Sequence, residues 1–157
     1  YGYLSGSYVR DKDAVNGACL ICEMFSFYKT KGMSLLERLE ELYQTYGYCL
    51  NTLHSYEFAG SAGFAQMQKI MSAFRAGVQE FGGKKVVAVQ DYARGLDGLP
   101  ISDVLKFQLE DHGSIVIRPS GTEPKLKIYV SVSAANQVEA QAIENRIVKG
   151  AEAIIEK

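Results

Sequence analysis

An α+β domain built on an antiparallel sheet is the fold class this sequence predicts, and three observations predict it. Short runs in the second half alternate apolar and polar residues, as Leu105, Phe107 and Leu109 do against Lys106, Gln108 and Glu110. Those runs are joined by hairpin-type turns such as Asp111-His112-Gly113, with no helical crossover between them. Helical periods flank them on both sides, over residues 61–83 and from about Ala135 onward.

From the N-terminus, a Gly-, Tyr- and Ser-rich start ends in Arg10-Asp11-Lys12-Asp13. Ala14, Val15, Ala18, Ile21, Phe25 and Tyr28 then recur at helical spacing up to Gly32, which predicts a helix with an acidic N-cap and a glycine stop. Ser34-Leu35-Leu36-Glu37 is a capping box that opens a second helix, with Leu35, Leu39, Leu42 and Tyr46 on one face and Gly47 at its end. Residues 48–60 lose the helical period and read as an extended connector, which places a domain boundary near His54, between residues 1–53 and 54–157. A core-facing helix follows, with Phe64, Met67, Met71, Phe74 and Val78 at spacings of three and four and Gly82-Gly83 as its stop. Methionines at this spacing read as gap-filling core residues.

Residues 84–92, with Val86-Val87-Ala88-Val89, read as a strand, and a polar loop runs on through Pro100. Leu105–Leu109 is a half-buried strand, and residues 114–117 pair back onto it across the Asp111-His112-Gly113 turn. Beyond residue 125, Leu126, Ile128, Val130 and Val132 share the core face, which puts Lys127, Tyr129, Ser131 and Ser133 on the other. The last helix carries Val138, Ala142, Ile143, Ile147, Ala151 and Ile154 as its apolar stripe. Residues 54–157 are thus expected to form a four-stranded antiparallel sheet with two helices on one face.

The stretch Arg118-Pro119-Ser120-Gly121-Thr122-Glu123-Pro124-Lys125 connects two strands and carries the chemistry. A phosphate dianion needs converging donors, and the Arg118 fork, the Ser120 and Thr122 hydroxyls and a Gly121 backbone N–H freed by positive φ could supply them. The competing reading is an ordinary hairpin turn, for which these residue types are common. No Gly-Lys-Ser/Thr follows, so nucleoside triphosphate binding has no support. Other features carry less: Cys19, Cys22 and Cys49 read as buried thiols, and His54 and His112 as solvated or structural residues without ligand-like neighbours. With 47% hydrophobic and 22% charged residues and a formal charge of -1, the chain offers no global field for nucleic acid or an anionic membrane. No apolar run approaches the ~20 residues of a membrane span, so the expectation is a soluble, cytoplasmic protein.

Arg118 to Lys125, followed by the alternating Lys127-Ile128-Tyr129-Val130, resembles the phosphate-binding loop in the C-terminal domain of the α-D-phosphohexomutases. Tyr1-Gly2-Tyr3 and the run Val9-Arg10-Asp11-Lys12-Asp13-Ala14-Val15 resemble the same family independently and in the same order, most like its bacterial phosphoglucomutase/phosphomannomutase branch. The resemblance implies a four-domain parent. Residues 1–53 would be the helical remnant of its third, α/β domain, and residues 54–157 its whole fourth domain, TATA-box-binding-protein-like in fold.

It further implies a phosphoserine that exchanges phosphate with a hexose monophosphate through hexose 1,6-bisphosphate, with Mg2+ bound by a loop that this chain lacks. No catalytic serine or metal ligand is expected here, so the isolated chain is expected to be inactive. Its part would be to hold the non-reacting phosphate of the phosphosugar with Arg118, Ser120, Gly121, Thr122 and Lys127, Glu123 pointing away. Lys12 is either a residue of the substrate cleft or one member of a salt-bridge cluster at the helix start. The expected partners are the phosphosugar, upstream domains of the same chain, and a second copy joined through residues 1–53. A non-enzymatic α+β binding or interaction module is the alternative, though neither a basic stripe nor a stacking platform of aromatics supports it.

Overall fold

The computed structural model describes residues 3–8, 10–58, 60, 62–96, 98–121 and 123–156. They form two compact units, Tyr1–Tyr46 and Gly47–Lys157. The first unit holds α1 (Ala14–Thr30) and α2 (Leu35–Tyr46). Asp13 caps α1 by accepting the Asn16 N–H at 3.0 Å. The capping box of α2 closes in both directions, Glu37 N–H to Ser34 Oγ at 3.1 Å and Ser34 N–H to Glu37 Oε2 at 2.7 Å. Of all α1 residues only Gly17 is buried, seated where a Cβ would strike the Tyr3 side chain. Cys19 and Cys22 are therefore exposed instead of buried, and Cys49 is exposed as well.

The second unit contains β1 (Tyr48–Glu57), α3 (Ala62–Arg75), β2 (Glu80–Phe81), β3 (Lys84–Asp91), β4 (Leu105–Leu109), β5 (Ser114–Pro119), β6 (Lys125–Ala134) and α4 (Gln137–Ile155). The α+β class and the antiparallel sheet are as expected, but the sheet has six strands in the order β1-β6-β5-β4-β3-β2. Both additional strands correct the sequence reading. Residues 48–57 are no connector: all ten pair with β6, from Tyr48 opposite Ala134 to Glu57 opposite Lys125. Their alternation escapes notice because Thr52, His54 and Tyr56 occupy the inward positions and an apolar Leu53 the outward one. The same pairing puts the division between units at Gly47, ahead of His54.

The other strand comes from the end of α3, which stops at Arg75 with Gly77 at φ 110° shortly after. Gly82-Gly83, read as the helix stop, is instead the turn of the β2–β3 hairpin, with φ 56° and 85°. In α4 the buried stripe is Ala140, Glu144, Ile147, Val148 and Ala151, whereas Val138 and Ala142 are exposed. The helix begins just after the Asn136 cap, whose side chain accepts the Glu139 N–H at 3.0 Å.

One face of the sheet supplies Leu105, Phe107, Leu109, Ile115, Ile117, Leu126, Ile128, Val130 and Val132 to the core, against Met67, Ile70, Met71 and Phe74 of α3 and Ile147 and Ala151 of α4. Phe74, Phe81 and Phe107 meet with ring centroids 5.2 to 6.4 Å apart, which locks the short β2 strand onto the core. Among the described residues no helix of this unit covers the opposite face, with Asn51, Lys106, Lys127 and Ser131, and the β5–β6 turn lies at one end of it. No helix among the described residues is long and apolar enough to cross a membrane.

Candidate functional site

The β5–β6 turn is narrow because its two flanks are tied together and to β1. Ser120 N–H donates to the Lys125 carbonyl at 2.7 Å, and Phe58 N–H donates to the Pro124 carbonyl at 2.9 Å. Arg118 and Lys127 stand directly opposite each other across the β5–β6 ladder, so their side chains leave the same face of the sheet. Like charges in that position repel, and no ion pair to either cation forms among the described residues. An anion between them would relieve the repulsion.

Arg118, Ser120 and Gly121 line one cleft of about 350 Å3. Its other walls come from Phe64, Met67 and Gln68 of α3 and from Ser102 and Asp103 ahead of β4. Lys127 flanks Arg118 without lining this cleft, and Thr122 lies outside the described residues. Gly121 does not use positive φ, contrary to expectation. A Cβ placed on it would meet nothing within 4 Å, so the space before its backbone is open to a ligand. Its N–H makes no hydrogen bond among the described residues, whereas that of Ser120 is already spent.

Glu123 does not line the cleft. Its carboxylate lies 3.7 Å from Lys125 Nζ, which also bonds Glu57 at 2.8 Å, on the opposite flank of the turn. Lys125 is thus a strut between the end of β1 and the turn. The bond to Glu57, with Glu123 adding to it, holds the Lys125 ammonium above its usual range and the Glu57 carboxyl below its own. Lys125, two residues before Lys127 on the same face of β6, thus supplies a counter-charge for the one carboxylate of the turn.

Lys12 belongs to the first unit, where its Nζ bonds Asp11 at 2.7 Å and both side chains are exposed. Asp13 is used as the helix cap. Sequence reasoning overlooked two polar clusters in the second unit. One is a seam between β1 and α4: Thr52 Oγ1 donates to Glu144 Oε1 at 2.7 Å, His54 Nε2 lies 2.6 Å from the same oxygen, and the Tyr56 hydroxyl donates to Glu152 at 3.0 Å. Burial pushes the Tyr56 hydroxyl far above its ordinary range, and the bond to Glu152 adds to that. The other joins Arg75 at the end of α3 to Asp91 and Asp103. Among the described residues, no group of three or more His, Cys, Asp or Glu could hold a metal ion.

The family model "Phosphoglucomutase/phosphomannomutase, C-terminal domain" matches residues 57–150. Phosphoglucomutases of Staphylococcus aureus strains MSSA476 and USA300 are 42% identical over 148 residues, covering 87% of this chain and 27% of theirs. The chain therefore spans about a quarter of the length of these relatives. A crystal structure of pp63/parafusin, a phosphoglucomutase from Paramecium in its open form, superposes with a TM-score of 0.64 at 23% identity, over 95% of this chain and 28% of that one. At that identity the likeness is one of fold.

Proposed function

This chain belongs to the phosphoglucomutase/phosphomannomutase family through its C-terminal domain, and from that premise we propose that it is the phosphate-gripping part of a longer phosphohexomutase. The second unit would be the fourth domain of that enzyme and the first unit the tail of its third. Such an enzyme interconverts hexose 1-phosphate and hexose 6-phosphate, a phosphoserine upstream giving and retrieving phosphate through a hexose 1,6-bisphosphate. Between the two transfers the sugar turns round, so some element must hold whichever phosphate is not reacting. Arg118, Ser120, Gly121, Thr122 and Lys127 take that role, and Lys12 is a candidate for the cleft. Mg2+ would be held by an upstream loop of that enzyme, and no step here runs through it. The setting is cytoplasmic.

A single observation carries this reading: two cations face each other across the β5–β6 ladder without an ion-pair partner among the described residues, while the nearby carboxylate of Glu123 approaches Lys125. Backbone pairing keeps the cations adjacent at no benefit to the fold, and an anionic ligand supplies the benefit. The guanidinium can make two parallel charge-assisted bonds to one phosphate, a geometry no other residue of the turn reproduces.

The test is phosphate affinity, followed by 1H–15N NMR titration of the chain with glucose 1-phosphate. Arg118→Ala is expected to weaken binding by about tenfold to a few hundredfold, because charged hydrogen bonds contribute roughly 1.5 to 3 kcal/mol each. Ser120→Ala costs less, since a hydroxyl makes one neutral donation and water can replace it. If Arg118→Ala binds as tightly as the parent, or Ser120→Ala is the more damaging, the turn is only a hairpin. In a full-length enzyme the Arg118→Ala loss falls on kcat as well as KM, because the same grip orients the sugar for each transfer.

A further inference from the structure

The sheet of the second unit leaves one edge open. β1 is its terminal strand and pairs with β6 on one side only. The phase of that ladder follows from a single bond: Phe58 N–H reaches the Pro124 carbonyl at 2.9 Å, one step beyond the pair Glu57–Lys125. Residues that bond across an antiparallel ladder alternate, so those of β1 that bond to β6 are Tyr48, Leu50, Thr52, His54 and Tyr56. Cys49, Asn51, Leu53, Ser55 and Glu57 therefore turn their N–H and C=O groups away from β6, and none of those groups has a hydrogen-bond partner among the described residues. All of these residues are exposed, Leu53 to 46%.

The other edge of the sheet is guarded. There β2 is only two residues long, and β3 behind it opens with Lys84 and Lys85 and carries a bulge between Val86 and Ala88. Short strands, lysines and bulges are the ordinary means by which a sheet avoids pairing with another chain. β1 uses none of them. Its ten residues include no Pro, Gly, Lys or Arg, and its register with β6 runs unbroken from Tyr48 to Glu57.

We propose that this edge is an interaction surface for a second copy of the chain, β1 pairing antiparallel with β1 about a two-fold axis at Leu53. The strand is complementary to itself in that register. With Leu53 facing Leu53 of the second copy, Asn51 meets Ser55 and Cys49 meets Glu57 in both directions, so every outward N–H and C=O gains a partner. Any other register leaves some of these groups unpaired at the strand ends. Glu57, the one carboxylate of the strand, falls opposite the uncharged Cys49, and no like charges face each other. On the helix side the half-buried Leu50 comes opposite Tyr56, an aliphatic–aromatic pair. The two sheets thereby become one across the axis, by strand addition at an exposed edge. The surface does not depend on the phosphate turn.

The test is sedimentation and amide hydrogen exchange of the 157-residue chain carrying Phe25→Ser and Phe27→Ser, which removes the exposed rings of α1 as another route to association. With rising concentration the mass is expected to double and exchange to slow at residues 49, 51, 53, 55 and 57, while the amides between them, already bonded to β6, stay as they were. Leu53→Lys and Leu53→Glu each set like charges against each other at the axis and are expected to weaken the dimer about tenfold or more. An equimolar mixture of the two restores it, because Lys then faces Glu. Leu53→Pro removes the central outward N–H without touching the β6 ladder and leaves a monomer. Thermal melts of the second unit serve as the folding control, since Leu53 lies outside its core. A chain that stays monomeric at every concentration overturns the pairing, as does a dimer in which these alternate amides still exchange freely or which Leu53→Lys and Leu53→Glu leave intact. A mixture of the two variants that stays monomeric overturns the two-fold register. Slow exchange at the alternate amides of a monomer also overturns the pairing, because the edge is then covered within the chain.

Discussion

Glu144 is 2% exposed and would be an intolerable buried charge without the donors that converge on it. Thr52 and His54 reach it from β1, and Gln141 Nε2 donates to its second oxygen at 2.9 Å. Glu144→Ala strips three polar groups of their partner at once, so it is expected to cost about 3 to 5 kcal/mol in urea denaturation. Glu144→Gln keeps the volume and one acceptor and costs less, about 1 to 3 kcal/mol. Equal stability of Glu144→Ala and the parent would mean that water already satisfies this seam. Nothing in the sequence announces the cluster, because His54 and Glu144 are 90 positions apart and each is an ordinary residue in its own neighbourhood. Arg118 and Ser120 differ in this respect. Their residue types and their place between two alternating runs mark an anion turn, whereas the ion pair of Lys125 with Glu57 is invisible in the sequence, because only strand pairing brings the two together.

Among the elements, those with a single local period were legible and those held by distant partners were not. The Ser34-Glu37 box and the Asp13 cap state where α1 and α2 begin, because the partners lie three residues apart. The end of α3 is different. Gly82-Gly83 could stop a helix or turn a hairpin, and Phe81, buried beside Phe74 and Phe107, decides for the hairpin. A Cβ on Gly82 would run into the Arg146 carbonyl of α4, and one on Gly150 would come within 2.6 Å of the Gly82 nitrogen. Gly82→Ala is therefore expected to lower the thermal midpoint well beyond Gly83→Ala, which meets no neighbour and carries only the backbone cost of about 1 kcal/mol. A larger loss at Gly83 would contradict this close approach of helix and hairpin. Asp91, at the end of β3, adds a pH signature. Burial works to raise its carboxyl, but Arg75, the Ala93 N–H and Arg94 together outweigh that and hold it below its ordinary value of 3.8. A depressed folded value means stabilisation that is fully present above that ordinary value and disappears as pH falls through the folded one. Melts of the parent should lose stability below about pH 4, and Asp91→Asn should begin lower at neutral pH and fall less steeply with acid. Parallel pH curves for the two proteins would show that Asp91 is not linked to folding.

At the scale of the whole chain, the two units differ in how much apolar surface they bury. Among the described residues of the second unit eighteen core residues are 9% exposed or less, whereas in α1 the apolar Leu20, Ile21, Met24, Phe25 and Phe27 are 41% to 52% exposed. Helix formation in α1 and α2 is well specified by caps and spacing, yet helices of 17 and 12 residues are marginal in water without tertiary packing. The caps are visible in the sequence, whereas the exposure of those side chains is not, since periodicity reports an apolar face without reporting what meets it. Two outcomes follow from exposed apolar surface of this kind: local opening at low free energy, or coverage by a second copy. Amide hydrogen exchange of the dilute chain should therefore show residues 14–46 exchanging far faster than residues 84–134, which share a sheet with a closed core. Raising the concentration should slow exchange in residues 14–46, together with a rise in mass by sedimentation, if copies associate through that surface. Replacing Phe25 and Phe27 by Ser should abolish that concentration dependence without altering the melting of the second unit, because neither side chain belongs to its core. Protection of residues 14–46 equal to that of residues 84–134 in a demonstrated monomer would show instead that the first unit is stabilised by packing of its own.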